Sequence, residues 1–294
     1  MSTVSETSSH LMAPQPGPFH ALRSILLRRP GTIVATAIVC TLVVVAVFAP
    51  WIAPYDPLSQ SIIKVNKMPS WTNWLGTDQF GRDVLSRMIY GSRNSLLFGL
   101  ISPFAAAVVG TTIGVIAGYF GGVVDRVISR LIDLLLAFPE LLLAIMIAAV
   151  LGGGFWNVIV VITVAFVPGF ARVARAQTLS VKHEPYVEAA VSMGVSTPWI
   201  IFRHIIPNIM APIVVLMMLW VASAIRLEAS LSFLGIGTQP PNPSWGNIIR
   251  DGLNNIFGSS WPIIGAGAAI TLVVLSFNLI GDAIRDAIDP STSD

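Results

Sequence analysis

The fold class predicted is an all-α membrane protein with six transmembrane helices, and three observations predict it. Of 294 residues, 54% are hydrophobic and only 11% charged, with mean hydropathy +0.76; a soluble domain carries roughly 25% charge. Several apolar runs reach the roughly 20 residues that cross a bilayer as helix. Prolines, glycines and charges concentrate in the segments between those runs.

Residues 1–18 are rich in Ser, Thr, Pro and Gln, a composition that predicts a disordered tail. Residues 19–30 set Arg23, Arg28 and Arg29 among leucines, an amphipathic lead-in along the cytoplasmic surface. Residues 31–53 carry no charge and form the first span. A signal peptide is the competing reading, and Arg28-Arg29 even suggests a twin-arginine leader. The run is too long for a typical h-region, and Pro50 follows its one plausible cleavage pair. Cys40, the single cysteine, reads as a small buried hydrophobe; it excludes an internal disulfide and a cysteine metal site.

Residues 54–93 form an extracytoplasmic segment broken by Pro54, Pro57 and Pro69, with Trp51, Trp71 and Trp74 suited to a membrane interface. Taken by its physics, 75–93 is a solvated loop with a surface helix, in which Asp83 and Arg87 make a favourable i,i+4 pair. Residues 94–294 form a five-helix core. Its first helix, at 95–119, repeats small residues at Gly110, Gly114 and Gly118, a face where another helix approaches closely. A short connection, 121–130, leads to a span at 131–151 interrupted by Asp133 and Pro139-Glu140. Gly152-Gly153-Gly154 is a tight turn before the fourth span, 155–170.

Residues 186–207 are a polar island read as two short helices with a hinge. Val187, Ala190 and Val191 share one face, and Gly194 supplies the positive φ that ends the first helix. Ser196 or Thr197 caps the second helix, Pro198 sits at its first position, and Pro207 stops it. The plain alternative is a helix that only joins two spans. The fifth span, 208–234, holds Arg226 and Glu228. Each costs roughly 2.5–3.5 kcal/mol at mid-bilayer and so faces protein or water. They either line a solute path or tie neighbouring helices. Residues 235–260 are a loop stiffened by Pro240, Pro241 and Pro243, and 261–280 is the last span, closed by Asp282, Arg285, Asp286 and Asp289. Asp133, Glu140, Asn278 and Asp282 read as interhelix ties or surface residues near cytoplasmic ends.

The Lys and Arg bias puts both termini and 186–207 in the cytoplasm. Net charge is +2 with its basic residues dispersed, which argues against nucleic acid as a partner. No Gly-x-x-x-x-Gly-Lys-Ser/Thr loop and no His-Glu-x-x-His occur, and four scattered histidines suit neither a zinc site nor a catalytic triad. The chain reads as non-catalytic.

Glu188-Ala189-Ala190, Gly194 and Ile205-Ile206-Pro207 resemble the "EAA" loop of ABC importer permeases, with Ile206 where the family usually has Leu. Gly76-Thr77-Asp78 with Gly81-Arg82-Asp83, Ala137-Phe138-Pro139, Glu228-Ala229-Ser230-Leu231-Ser232-Phe233-Leu234-Gly235, Gln239-Pro240-Pro241 and Phe277-Asn278-Leu279-Ile280-Gly281-Asp282 resemble the second, "C-type", permease subunit of the oligopeptide/dipeptide/nickel family. The resemblance covers about 75–290. It implies a type I ABC importer permease fold in a bacterial inner membrane, with 186–207 as cytoplasmic coupling helices between spans four and five. Glu188, Ala189, Ala190, Gly194, Ile201 and Pro207 would engage an ATPase, with Val187 and Ile201 filling a groove on it. It implies a homologous second permease, two ATPase subunits that bind ATP and Mg, and an extracytoplasmic solute-binding protein. Cargo would be di- or oligopeptides; nickel, glutathione and oligosaccharides are the alternatives. A standalone secondary transporter predicts activity from this chain alone and an internal inverted repeat, and no clear repeat is visible.

Overall fold

The computed structural model describes residues 30–288, and their regular structure is helical apart from one isolated bridge between Thr77 and Asp83. The sequence readings for 1–29 and for Asp289 and Pro290 lie outside the described residues. Five helices are long and apolar enough to cross a bilayer, and a bent pair makes six when it is counted as one span.

Helix α1 (Pro30–Val47) breaks at Phe48 and continues as the short α2 (Ala49–Ile52). The break falls where Pro50 has no N–H to give the carbonyl of Ala46. Thr32, Ala35 and Ala46 are the buried positions of α1. Cys40 is exposed, so its reading as a buried hydrophobe is corrected: a single helix resting on a bundle hides one narrow stripe and leaves the rest to lipid.

Helix α3 (Val84–Phe120) is 37 residues long, about 55 Å, well beyond the bilayer core. It packs along α6 (Phe155–Val181), and the glycine face is the reason this contact is close. A Cβ on Gly110 would lie 2.6 Å from Phe170 Cβ, on Gly114 2.3 Å from the Ala171 carbonyl oxygen, and on Gly118 2.8 Å from Thr178 Cβ. Trp220 of α9 (Ile206–Phe233) anchors the other side of α6, with its ring 4.4 Å from Phe166 and 5.0 Å from Phe170.

The third crossing differs from the expected single span. Helix α4 (Gly122–Leu136) meets α5 (Glu140–Leu151) at 96°, with Pro139 at the corner. The expected short connection at 121–130 is therefore part of a helix, laid across the bundle. It is held there by Arg175 on Asp125, with Nη2–Oδ2 at 2.6 Å, and by Arg172 on Asp133 at 2.8 Å. Asp133 is thus a tie between helices.

At the end of the bundle that the Lys and Arg bias makes the outer one, 54–83 is folded, with 54–74 mostly exposed and 76–78 and 81–83 closed to solvent. Thr77, Asp78, Arg82, Asp83 and Arg87 are all buried, which corrects the solvated-loop reading. Asp83 caps α3, accepting from Ser86 N at 2.8 Å and Ser86 Oγ at 2.7 Å, with Asn73 Nδ2 on its other oxygen at 2.8 Å. Because Asp83 is spent on the cap, Arg87 pairs elsewhere: Nη1 is 3.5 Å from Asp78 and Nη2 3.2 Å from Asp251. Arg82 joins the same two carboxylates at 2.7 and 3.1 Å. Asp251 belongs to α10 (Trp245–Asn254), a helix inside the segment expected to be loop. Ser244 caps it, and buried Trp245 hydrogen-bonds the Met88 carbonyl at 3.2 Å. Helix α11 (Trp261–Ile288) completes the bundle against α1, α9 and α10.

Candidate functional site

Three constellations of residues stand out. The first is the hinge at the end of the bundle opposite 54–83. Helix α7 (Pro185–Ser192) ends where Gly194 adopts φ +73° with open space around its α-carbon. Only glycine takes that φ without strain. Helix α8 (Thr197–Ile200) follows, with Ser196 at the N-cap position and Pro198 second in the helix. Pro207 does not stop it. Residues Ile201–Ile205 form a π-helical turn, with Ile206 N donating to the Ile201 carbonyl, and the helix runs on into α9. The wider turn accommodates the missing proline N–H and its ring. The second hinge helix and the fifth span are therefore one rod, 197–233.

Val187 and Ala190 are buried in the subunit's own core and Ile201 packs partly against it. This corrects the expectation that Val187 fills a partner's groove, whereas Ile201 keeps part of its surface outside. The apolar side chains left outside are Tyr186, Val191, Met193, Trp199 and Phe202, the last 71% exposed. The signal missed was the count of apolar positions: a short helix with residues on both faces buries one set and exposes the other. Tyr186 and Trp199 flank the His204 ring at 5.8 and 5.1 Å, bracing α7 against the rod. Glu188 is exposed, 3.8 Å from His183, and Ala189 is exposed beside it.

The second constellation surrounds Glu228, which is fully buried. Its carboxylate accepts from Ser232 Oγ at 2.6 Å, Thr238 Oγ1 at 3.2 Å and Ser95 Oγ at 3.4 Å. Ser95 also accepts from Trp245 N at 3.5 Å. Glu228 thus knots α3, α9, the outer loop and α10. The third constellation is the opposite face of α9, where Arg226 is exposed and donates to Ser223 Oγ at 2.9 Å. Two positions apart on a helix, Arg226 and Glu228 point to different faces.

Residues 110–294 match the family described as binding-protein-dependent transport system inner membrane component, and residues 17–69 match the N-terminal transmembrane domain of oligopeptide transport permease C. The chain belongs to this permease family. The permease is 41% identical over 274 residues to the glutathione transport system permease protein GsiD of Escherichia coli O157:H7, covering 93% of this chain and 90% of that one. It is 38% identical over 297 residues to the dipeptide transport system permease protein DppC of Alkalihalophilus pseudofirmus, covering 97% and 98%. Its fold resembles a chain of the inward-facing MetNI methionine ABC transporter, with TM-score 0.55 at 19% identity over 69% of this chain and 96% of that one. The type I importer permease fold expected from the sequence is the fold observed.

The hydroxyl knot makes a prediction for the permease. Glu228→Ala leaves three buried hydroxyls without their acceptor and is expected to destabilise the subunit by about 1–3 kcal/mol. Glu228→Gln keeps an accepting oxygen and is expected to cost less. Thermal midpoints of the two purified variants in detergent check this. Equal midpoints for wild type and Glu228→Ala would remove the knot from the account of stability.

Proposed function

We propose that the permease forms half of an ATP-driven import path for small peptides in a bacterial inner membrane, moved by force applied at 186–207. The observation that carries this reading is mechanical: an exposed apolar knob, bent at Gly194, continues as one helix into the fifth span. Tyr186, Val191, Met193, Trp199 and Phe202 offer the anchors that a helix-in-groove contact requires. Glu188 forms the polar edge of that contact, and the small Ala189 beside it lets a partner backbone come close. Ala190 holds α7 to the core, Gly194 sets the angle between the helices, and Ile201 and Pro207 set the rod's course. A push on the knob would tilt 197–233 as a lever and open the path on one side or the other.

The assembly is completed by a homologous second permease, two ATPase subunits that hold ATP and Mg, and an extracytoplasmic solute-binding protein. The termini and the knob lie in the cytoplasm, as the Lys and Arg bias supports. The names of the relatives support peptides, glutathione among them, over nickel or oligosaccharides. Arg226 faces the solute path, whereas the closed cage around Glu228 suits a residue that holds the path's wall together.

The test is reconstitution of the permease pair, ATPases and binding protein in proteoliposomes with a labelled dipeptide. Uptake that requires ATP and every subunit is expected. Phe202→Asp is expected to lower ATPase co-purification by at least tenfold, and Glu188→Arg and Gly194→Pro to weaken it. Wild-type co-purification and uptake in all three would refute the coupling role. Uptake by this chain alone would refute the importer.

A further inference from the structure

Helices α5 and α9 end at the same outer level. Gly154 N, just past α5, donates to the Gly237 carbonyl at 3.2 Å, and a Cβ on Gly153 would meet Gln239 at 2.2 Å. Phe233 ends α9 at the start of that same loop. At 1.5 Å per residue, Arg226 lies about 10 Å and Glu140 about 17 Å below this level. The hydrocarbon core is about 30 Å thick, so both charges sit at membrane depth. Glu140 is the first residue of α5, just past the corner at Pro139, and lies deeper in the membrane than a residue near the cytoplasmic end.

Both residues are exposed on the isolated subunit, and α5 touches α9. The Arg226 guanidinium is close enough to act electrostatically on the Glu140 carboxyl. Among the described residues, however, the two close no ion pair; the hydrogen bond of Arg226 goes to Ser223. Charges at this depth do not face lipid, since each costs roughly 2.5–3.5 kcal/mol there. A near but open pair of opposite charges beside hydroxyl groups describes the wall of a wet, polar passage.

We propose that Glu140 and Arg226 form a split charge pair on the solute path that receives a zwitterionic peptide by its two ends, Arg226 the carboxylate and Glu140 the ammonium. The planar guanidinium matches a carboxylate with two parallel hydrogen bonds. Because Arg226 is nearer the outer level, the ammonium end travels deeper. This inference rests on the importer reading and adds to it the chemical class of the solute and the residues that meet it. Neither residue touches the cage around Glu228, so the two sites separate by mutation.

The experiment measures ATP-dependent uptake of labelled alanyl-alanine by the complete reconstituted assembly, with saturating binding protein. Arg226→Leu and Glu140→Gln are each expected to lower maximal uptake about tenfold, the scale of one charged contact, with normal co-purification of the second permease and the ATPases. The exchanged double variant Glu140→Arg with Arg226→Glu is expected to stay low, because the peptide then meets each charge at the wrong depth. Unchanged uptake in the single variants would overturn the proposal. So would loss of assembly in the single variants that the exchanged pair restores, since that marks a structural tie. A wild-type assembly that moves no peptide would instead sink the importer reading itself.

Discussion

Gly114→Leu is expected to abolish accumulation of folded subunit. The Cβ alone would lie 2.3 Å from the Ala171 carbonyl oxygen, 2.8 Å from Ala174 Cβ and 2.8 Å from Arg175 N. Two of those three atoms are backbone, so no side chain can swing aside. The helices α3 and α6 must separate, and with them the contacts of Gly110 and Gly118 above and below. In lipid, close packing of small faces is a main source of helix association, because burying apolar surface gives little between one apolar solvent and another. Overpacking a soluble core costs typically 1–3 kcal/mol. Here the whole interface moves, so the loss is expected at or beyond the upper end of that range. Gly114→Ala is expected to fold with a lowered thermal midpoint. Gly267→Ala is the control: its Cβ meets nothing within 4 Å, and the variant is expected to match wild type. Yield and monodispersity in detergent, with thermal midpoints, decide the matter. A monodisperse Gly114→Leu protein with a wild-type midpoint would show that the glycine face is not what joins these helices.

That face was legible in the sequence because a helix repeats every 3.6 residues, so one period exposes the whole contact. The spans were legible for another reason: uncharged apolar runs of bilayer length have no place in a soluble fold. The hinge was half legible. Gly194 could be read from its backbone freedom, but Pro207 suggested a stop where the chain instead widens into a π turn. Nothing local to a proline says which of those two solutions tertiary packing will choose. The outer cluster was not legible as a cluster. Arg82 and Asp251 stand 169 positions apart, and no periodicity links them. Asp83 misled for a related reason: four residues before Arg87 it looks like an ion-pair partner, yet as the N-cap its carboxylate faces the Ser86 amide. The 96° corner was hidden in Phe138-Pro139, because a proline permits a break without fixing its angle.

Arg87→Met is expected to destabilise the outer end of the subunit by about 3–5 kcal/mol, the usual cost of breaking a buried ion pair from one side. Arg87 is 4% exposed, Asp78 6% and Arg82 7%, with Asp251 at 26%. Two carboxylates and two guanidiniums balance in this cluster. Without Arg87, Arg82 alone must serve both acids, and the surplus negative charge stays out of water. The damage should not stop at the charges. Asp251 fixes α10, α10 carries Trp245, and Trp245 N donates to Ser95 within the hydroxyl knot of Glu228. Loosening α10 therefore loosens the knot. Amide exchange is expected to rise across Trp245–Asn254 and 75–83 before any change along α6. Arg87→Lys keeps the charge but loses the two-pronged reach between Asp78 and Asp251, and is expected to fall between wild type and Arg87→Met. Removing the surplus acid as well, in Arg87→Met with Asp251→Asn, is expected to recover part of the loss, because residues in one network couple rather than add. If the double variant is less stable than Arg87→Met by the full cost of Asp251→Asn alone, the two residues act independently. The outer end would then owe its order to the capping and backbone bonds of 54–83 rather than to buried charge.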